Sequence, residues 1–359
     1  MRLTAHEQMM EYARVAGLRS TCSRLCVGAV LARDGHLLSS GYNGAPRGGY
    51  HGPVAEEDRP RPTHVWSEEL GPLVPLTSDS PRQWIAKTGM CLRVLVGSDV
   101  HGMAVGGSDD RDEMGVFVEP PDYVIGSRQI KHYTYRTQPE GVCSGPGDLD
   151  FVAYGLRRYA GLAAAGNPTV LIPLFVPDKD VCFINDFGRE LRDRRHLFVS
   201  KQAGARFKGY LESQRRGLMG LRSGGTRNQG RADIRARLGF DAKFAAHMLR
   251  LGVQGIELLE TGEITLPVPE PFLTYLRDLK TGVYLEGGTP DTPQGRRLAD
   301  AKKAETLRIA EELEFQIDEL METSSLPDRP DYDAINHWMT DVHRRYWGWR
   351  WSPPLEEAS

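Results

Sequence analysis

The sequence predicts an α/β (α+β) protein in which a strand-rich middle part is followed by a mainly helical C-terminal part. Two observations carry this prediction. Short apolar runs typical of strands lie at residues 92–96 and 116–118, and another at residues 150–154 leads into a helical pattern. From about residue 186 onward, apolar residues mostly recur at helical spacing. We therefore expect the sheet first and the helices after it.

Composition narrows the class of protein. The chain has 359 residues, a formal net charge of −3 and five cysteines. This length supports two or three domains, and the charge argues against a general nucleic-acid coat or a binder of anionic membranes. No apolar run approaches the about 20 residues that span a bilayer, and the N-terminus lacks the layout of a signal peptide. The odd number of scattered cysteines fits reduced thiols, so we expect a cytoplasmic protein without a membrane partner.

The N-terminal segment is expected to form a helix followed by a hairpin (αββ). Strand patterns at residues 27–32 and 37–41 flank the turn signal Asp34-Gly35. The segments AGLRSTC at 16–22, VGAVL at 27–31 and GYNGAPRG at 41–48 resemble the opening of deoxycytidylate deaminases. The resemblance implies a deaminase-like piece over residues 1–52.

Deaminase chemistry is not expected from this piece. A zinc deaminase needs a His or Cys followed by a glutamate, and then a Pro-Cys-x-x-Cys pair. The sequence contains no C-x-x-C and no H-x-E. We therefore interpret residues 1–52 as a truncated remnant without zinc. Residues 53–88, rich in Pro, Glu and Asp, are expected to be a linker with at most one short helix.

Two carboxylates follow a strand pattern and a glycine-serine pair. Asp110 and Asp112 are one residue apart at the start of the next strand pattern, so their side chains project from the same face. The turn at Gly97-Ser98 ahead of them can present backbone N–H groups to an anion. Paired carboxylates suit Mg²⁺, which is commonly shared with substrate phosphates. A solvated acidic turn is the alternative, but the order of turn, acids and strand favours a metal–triphosphate site.

Residues 89–185 resemble the polymerase-β-type nucleotidyltransferase superfamily, and more narrowly a nucleotidyltransferase family of bacteria and their phages with the pattern G-S…S-D-x-D-x-x-G-V. Gly115-Val116 anchors the match and places the D-x-D on Asp110 and Asp112, with one residue inserted after the turn. The neighbouring Asp109 leaves this register open. The resemblance implies a small mixed-sheet catalytic core.

The superfamily uses a third carboxylate on a later strand. Asp150, at the start of a strand pattern that leads into a helix, is the candidate, and Asp148 on the same face is the alternative. The helix is expected to end at the Gly-Asn-Pro signal of residues 166–168. The narrower family has a glutamate just after this signal, whereas this chain has Ile172, which puts only a supporting contact in doubt.

The resemblance extends into an expected helical domain at residues 186–350, where it includes Lys201. Asp241 is expected to cap a helix that ends at Gly262. On this helix a basic stripe shares one face and could bind a triphosphate across a cleft from the metals. Its members are Lys243, His247 and Arg250. A solvated face, with an interior histidine, is the alternative.

The resemblance implies a nucleotidyltransferase that uses Mg²⁺ or Mn²⁺ to move a nucleoside monophosphate from an NTP to an acceptor hydroxyl, releasing pyrophosphate. Asp110, Asp112 and Asp150 would be the metal ligands and catalytic groups. Gly97, Ser98 and the basic side chains would bind the phosphates. The acceptor is open among tRNA, protein and small molecules.

Two other functions remain as alternatives. The first is a catalytically inactive nucleotide- or RNA-binding protein, because residues 206–237 contain nine basic residues and two acidic ones. The second is a deaminase-type enzyme of nucleotide metabolism, which the missing zinc ligands disfavour.

Overall fold

The computed structural model describes residues 28–33, 36–42, 81–105, 111–138, 145, 147–221 and 229–348. The chain divides into two compact units, Met1–Thr63 and His64–Ser359. In the second unit a five-stranded mixed sheet is combined with many helices, which confirms the predicted fold class. None of the described helices is long and apolar enough to cross a membrane.

The first unit contains an antiparallel strand pair, β1 (Gly28–Arg33) and β2 (His36–Tyr42). This pair confirms the predicted hairpin. The predicted preceding helix and the rest of the deaminase-like segment lie outside the described residues.

The sheet of the second unit has the strand order β5-β6-β4-β3-β7. Strands β4 and β6 are parallel, and the other neighbours are antiparallel. The parallel pair lies in the middle of the sheet. Because β4 and β6 run in the same direction and in register, their first residues lie next to each other. The five strands are β3 Met90–Leu95, β4 Arg111–Phe117, β5 His132–Arg136, β6 Leu149–Gly155 and β7 Val181–Ile184.

Helices cover both faces of this sheet and continue beyond it. Between them lie 3₁₀ turns at Ile172–Leu174, Asp178–Asp180, Arg195–Phe198 and Val283–Leu285. The described α-helices are α1 Pro81–Thr88, α2 Gly97–Val100, α3 Pro121–Val124, α4 Leu156–Ala164, α5 Pro168–Leu171, α6 Asp186–Asp193, α7 Lys201–Leu218, α8 Gln229–Leu238, α9 Ala242–Thr261, α10 Phe272–Thr281, α11 Pro293–Thr323 and α12 Tyr332–Tyr346.

The alternation of side chains along β6 separates two apolar cores. Phe151 and Ala153 pack with α1 in the smaller core, while Val152 and Tyr154 pack against the larger one on the opposite face. The larger core runs without interruption from β3 to α12. The predicted boundary between residues 185 and 186, like the other domain limits, stays a prediction.

Helix α9 begins and ends as its sequence predicts. The Asp241 side chain accepts a hydrogen bond from the Phe244 N–H (3.2 Å), and Gly262 ends the helix at φ 75°. A left-handed residue here favours glycine, which has no Cβ to clash with the backbone. These two signals set the ends of α9, the helix that carries the basic stripe.

Helix α6 packs closely on strand β3 of the sheet. Gly188 of α6 lies so near β3 that an added Cβ would be 2.1 Å from the Cys91 carbonyl oxygen. Gly161 of α4 has no heavy atom within 4 Å of an added Cβ. We expect Gly188→Ala to lower the free energy of unfolding by about 1–3 kcal/mol, through overpacking. The matched Gly161→Ala should raise it by about 0.5–1 kcal/mol. Urea denaturation measures the free energy of unfolding of both variants. A Gly188→Ala variant as stable as the wild type would contradict this packing.

Candidate active site

A cavity of about 510 Å³ opens where β4 and β6 begin, and α7 and α9 contribute to its wall. It brings together most of the residues that the sequence singled out. The predicted residues that line it are Gly97, Ser98, Asp112, Asp150, Lys243, His247 and Arg250.

Two carboxylates lie side by side at the start of the parallel strands. Asp112 of β4 is the register partner of Asp150 of β6, so both side chains project from the same face. Asp110, the other half of the predicted D-x-D, lies outside the described residues. The parallel pairing therefore supplies two of the three expected carboxylates.

The approach of Gly97 to Asp112 leaves no room for a side chain. A Cβ at Gly97 would lie 2.2 Å from Asp112 Oδ2, and the residue has φ +77°. The Val96 N–H also donates to the Asp112 carbonyl oxygen (2.9 Å). Both the space and the backbone conformation thus favour glycine at this position.

The predicted Gly97-Ser98 turn is the start of a single helical turn, α2. Lys280 of α10 holds this segment, with its ammonium 3.4 Å from Ser98 Oγ and 2.5 Å from the Met103 carbonyl oxygen. Arg277 Nε donates to the Gly102 carbonyl oxygen (2.8 Å). Lys280 is not among the predicted site residues, because its contact joins positions far apart in the chain and has no local motif.

Asp150 has a counter-ion on the neighbouring strand. Arg136 at the end of β5 donates from Nε to Oδ1 (2.6 Å) and from Nη2 to Oδ2 (3.1 Å). Gln138 Nε2 adds a third hydrogen bond to Oδ1 (2.9 Å). Such a two-pronged contact fixes the plane of the carboxylate.

Arg250 reaches the cavity from α9 and contacts the buried His101 ring at Nε2. Burial lowers the pKa of Arg250 to about 10, so the guanidinium stays charged at neutral pH. Its Nε has no hydrogen-bond partner within the described part of the chain. Burial, followed by the nearby charge of Arg250, holds the pKa of His101 well below its usual range. A neutral His101 therefore accepts a hydrogen bond from the guanidinium, a role that the sequence analysis missed.

Another part of the cavity lining is uncharged. It includes Thr169, Ile172, Tyr210 and Gln214. Ile172, at the position where the narrower family has a glutamate, is buried. The Tyr210 hydroxyl accepts a hydrogen bond from Asn167 Nδ2 (3.1 Å), and the tyrosine is 38% exposed. The cavity thus combines a carboxylate wall, a cationic wall and a neutral part of the lining.

The structure does not bring Lys201 to this cavity. Lys201 is the first residue of α7, where its N–H donates to the Pro327 carbonyl oxygen (2.9 Å) and its ammonium lies 3.4 Å from Asp328. Tyr210 and Gln214, further along the same helix, are the α7 residues that line the cavity. Lys201 thus lies at an ion pair at the start of the helix, and its proposed phosphate contact stays a prediction.

Part of the predicted basic stretch is neutralised by α11. Lys208 lies 2.6 Å from Asp318, and Arg215 lies 3.0 Å from Glu314. Residues 222–228 lie outside the described residues. The charge that this stretch offers to a polyanion is thus smaller than its composition indicates.

The donor set can be compared with the needs of a divalent cation. Among the described residues, no three His, Cys, Asp or Glu side chains gather into a metal site. Asp112 and Asp150 nevertheless fit Mg²⁺, which is usually bound through one or two carboxylates and completed by substrate phosphates and water.

The neutral state of His101 makes the stability of the protein depend on pH. In the unfolded chain a histidine titrates near pH 6.5, whereas folded His101 stays neutral at lower pH. The unfolded state therefore binds more protons below about pH 6.5, and the free energy of unfolding falls there as the pH decreases. Glutamine keeps an acceptor for Arg250 but does not titrate. We expect His101→Gln to lose less stability than the wild type between about pH 7 and about pH 5 in urea denaturation. An equal loss of stability in the wild type and in His101→Gln over this pH range would contradict a neutral, buried His101.

Comparison with known proteins gives two partial likenesses. ComE operon protein 2 of Bacillus subtilis (strain 168) is 42% identical over 50 residues, which cover 14% of this chain and 26% of that protein. The chain thus spans about a quarter of the length of this curated relative. A crystal structure of a nucleotidyltransferase-like protein from Exiguobacterium sibiricum 255-15 is 9% identical and covers 73% of this chain and 77% of that chain, with a TM-score of 0.25.

A family model covers most of the second unit. It matches residues 82–341 and is described as RlaP, RNA repair pathway DNA polymerase beta family. The match includes the predicted catalytic core and most of the helical part, and it confirms the expected likeness to the polymerase-β type. The deaminase-like likeness of residues 1–52 lies outside it and stays a prediction. The chain belongs to the RlaP family, the RNA repair pathway family of DNA polymerase β type.

Proposed function

We propose that the protein is a metal-dependent nucleotidyltransferase that moves a nucleoside monophosphate from an NTP to an acceptor hydroxyl and releases pyrophosphate. The observation that carries the proposal is the pairing of Asp112 with Asp150 on one face, directly beside Gly97 and Ser98. The cavity volume of about 510 Å³ falls in the range of small-molecule sites.

Asp112 and Asp150, with Asp110 as a third ligand, would hold the Mg²⁺ or Mn²⁺. When bound, the metal neutralises phosphate charge and orients the reacting oxygens. Backbone N–H groups near Gly97 and the Ser98 hydroxyl bind the terminal phosphates. Asp150 orients the acceptor hydroxyl and helps remove its proton. The acceptor oxygen then forms a bond to the α-phosphorus as the bond to the β-phosphate oxygen breaks.

The cationic wall would bind the charge that leaves as pyrophosphate. Lys243, His247 and Arg250 line the cavity on α9, and buried Arg250 stays charged at neutral pH. A guanidinium held by His101 loses little freedom on binding, so its contact with phosphate is pre-organised. The neutral part of the lining at Tyr210 and Gln214 suits the nucleoside, whose base is flat and carries amide-like edges.

We further propose that the acceptor is RNA rather than a protein or a small molecule. The description of the family names an RNA repair pathway. A hydroxyl of RNA supplies the nucleophile that the reaction needs.

Asparagine variants of the two carboxylates test the proposal. Asp112→Asn and Asp150→Asn keep the shape but remove the charge, so pyrophosphate release from labelled NTP, Mg²⁺ and RNA should fall by at least about 100-fold. The matched control is Asp148→Asn, because Asp148 accepts hydrogen bonds from Thr137 Oγ1 (2.8 Å) and the Gly145 N–H (2.9 Å). We expect this control to keep most of the activity.

The activities of the three variants show which carboxylates are catalytic. Wild-type rates in both Asp112→Asn and Asp150→Asn would exclude this site as the catalytic one. A loss confined to Asp148→Asn and Asp112→Asn would move the third carboxylate to Asp148.

A further inference from the structure

A row of exposed side chains leads away from the cavity along the edge of the sheet. Strand β5 is the edge strand, and its register pairs Arg136 with Asp150, Thr134 with Val152, and His132 with Tyr154. Side chains that are directly opposite in antiparallel strands share one face. The row formed by Arg136, Thr134 and His132 therefore lies on the face that carries Asp150, and all three residues are exposed.

The far end of this row is positively charged. A groove of about 290 Å³ there is lined by Lys131, Arg157 and Arg158, all of which are exposed. Within the described residues these three side chains form no ion pair. Glu119 also lines the groove, but its carboxylate accepts hydrogen bonds from the ring of His343 (3.0 Å) and the Arg157 N–H (3.2 Å). The groove thus presents three unneutralised cations beside one engaged acid.

The two arginines do not stabilise their own helix. Arg157 and Arg158 lie in the first turn of α4, where the helix dipole is positive and favours acidic side chains. Their charge is therefore unfavourable for the helix and available for an anion. This charge is local, because the whole chain is slightly acidic, with a net charge of −3.

Between the groove and the cavity lie two rings. The centroids of His132 and Tyr154 are 6.2 Å apart, with the ring planes inclined at 53°. Flat side chains of this kind offer stacking surfaces to unpaired bases. From His132 to Arg136 the strand extends about 14 Å, a span that a few nucleotides of an extended strand cover.

We propose that the β5–β6 face, defined here as Lys131, His132, Thr134, Tyr154, Arg157 and Arg158, binds the single-stranded end of the acceptor RNA. The proposal rests on the proposed function. The phosphates contact the cations of the groove, a base stacks at His132 and Tyr154, and the terminal hydroxyl reaches Asp150. The combination of cations with rings along an extended track fits a polynucleotide better than an acidic peptide, which offers charge without flat bases.

Binding of a fluorescein-labelled single-stranded RNA oligonucleotide to the full chain, measured by anisotropy at several salt concentrations, tests the face without any turnover. The variant Arg157→Ala/Arg158→Ala should bind at least about tenfold more weakly. Its slope of log affinity against log salt should decrease by about 1.4, which is about 0.7 for each lost phosphate contact. His132→Ala should weaken binding while the slope stays close to that of the wild type, because it removes a stacking ring and leaves the three cations of the groove in place.

The matched control is Arg296→Ala/Arg297→Ala, another adjacent pair of exposed arginines, on α11. This control, and Arg157→Lys/Arg158→Lys, should keep the wild-type slope. An equal loss of RNA affinity in the α4 double variant and the α11 double variant would overturn the proposal. A wild type that does not bind RNA would overturn it as well. Asp112→Asn should bind the RNA like the wild type, so a failure of the catalytic assignment is distinguished from a failure of this face.

Discussion

The parallel pairing of β4 with β6 is the constraint on which the candidate site depends. Because the two strands run in the same direction and in register, their first residues meet at one edge of the sheet, and Asp112 lies beside Asp150. Carboxylates so close repel each other unless a cation or donors stand between or beside them. Arg136 supplies such a donor to Asp150. A divalent cation shared by both carboxylates would reduce their repulsion further. The absence of a side chain at Gly97 lets the Asp112 carboxylate pack directly against the backbone there.

The helical part completes the site from the other side. Lys280 and Arg277 of α10 bind carbonyl groups of the segment that contains α2, so this segment is held by a helix far away in sequence. His101, from the same segment, holds Arg250 of α9. A buried, positively charged guanidinium is costly without an anion nearby. The phosphate of the proposed nucleotide would relieve this cost.

Local sequence signals predicted much of the site, whereas contacts between distant segments did not follow from them. The alternation of β4 and β6 and the helix cap at Asp241 depend on nearby residues, and these features were predicted correctly. Arg136 and His101 act through partners that only the fold brings close, so no short motif indicated them. Lys201 is the opposite case, because a family motif indicated a phosphate ligand whereas its ammonium lies 3.4 Å from Asp328 at the start of α7. Its proposed phosphate contact stays a prediction. The position of Asp110 stays a prediction.

A crystal structure with Mn²⁺ and a non-hydrolysable NTP analogue would test the central claim most directly, because Mn²⁺ is located by its anomalous scattering. The account predicts an anomalous peak within coordination distance of carboxylate oxygens of both Asp112 and Asp150, with the terminal phosphates against Gly97 and Ser98. A peak bound to other residues, or phosphates on the far side of the sheet from these carboxylates, would contradict it.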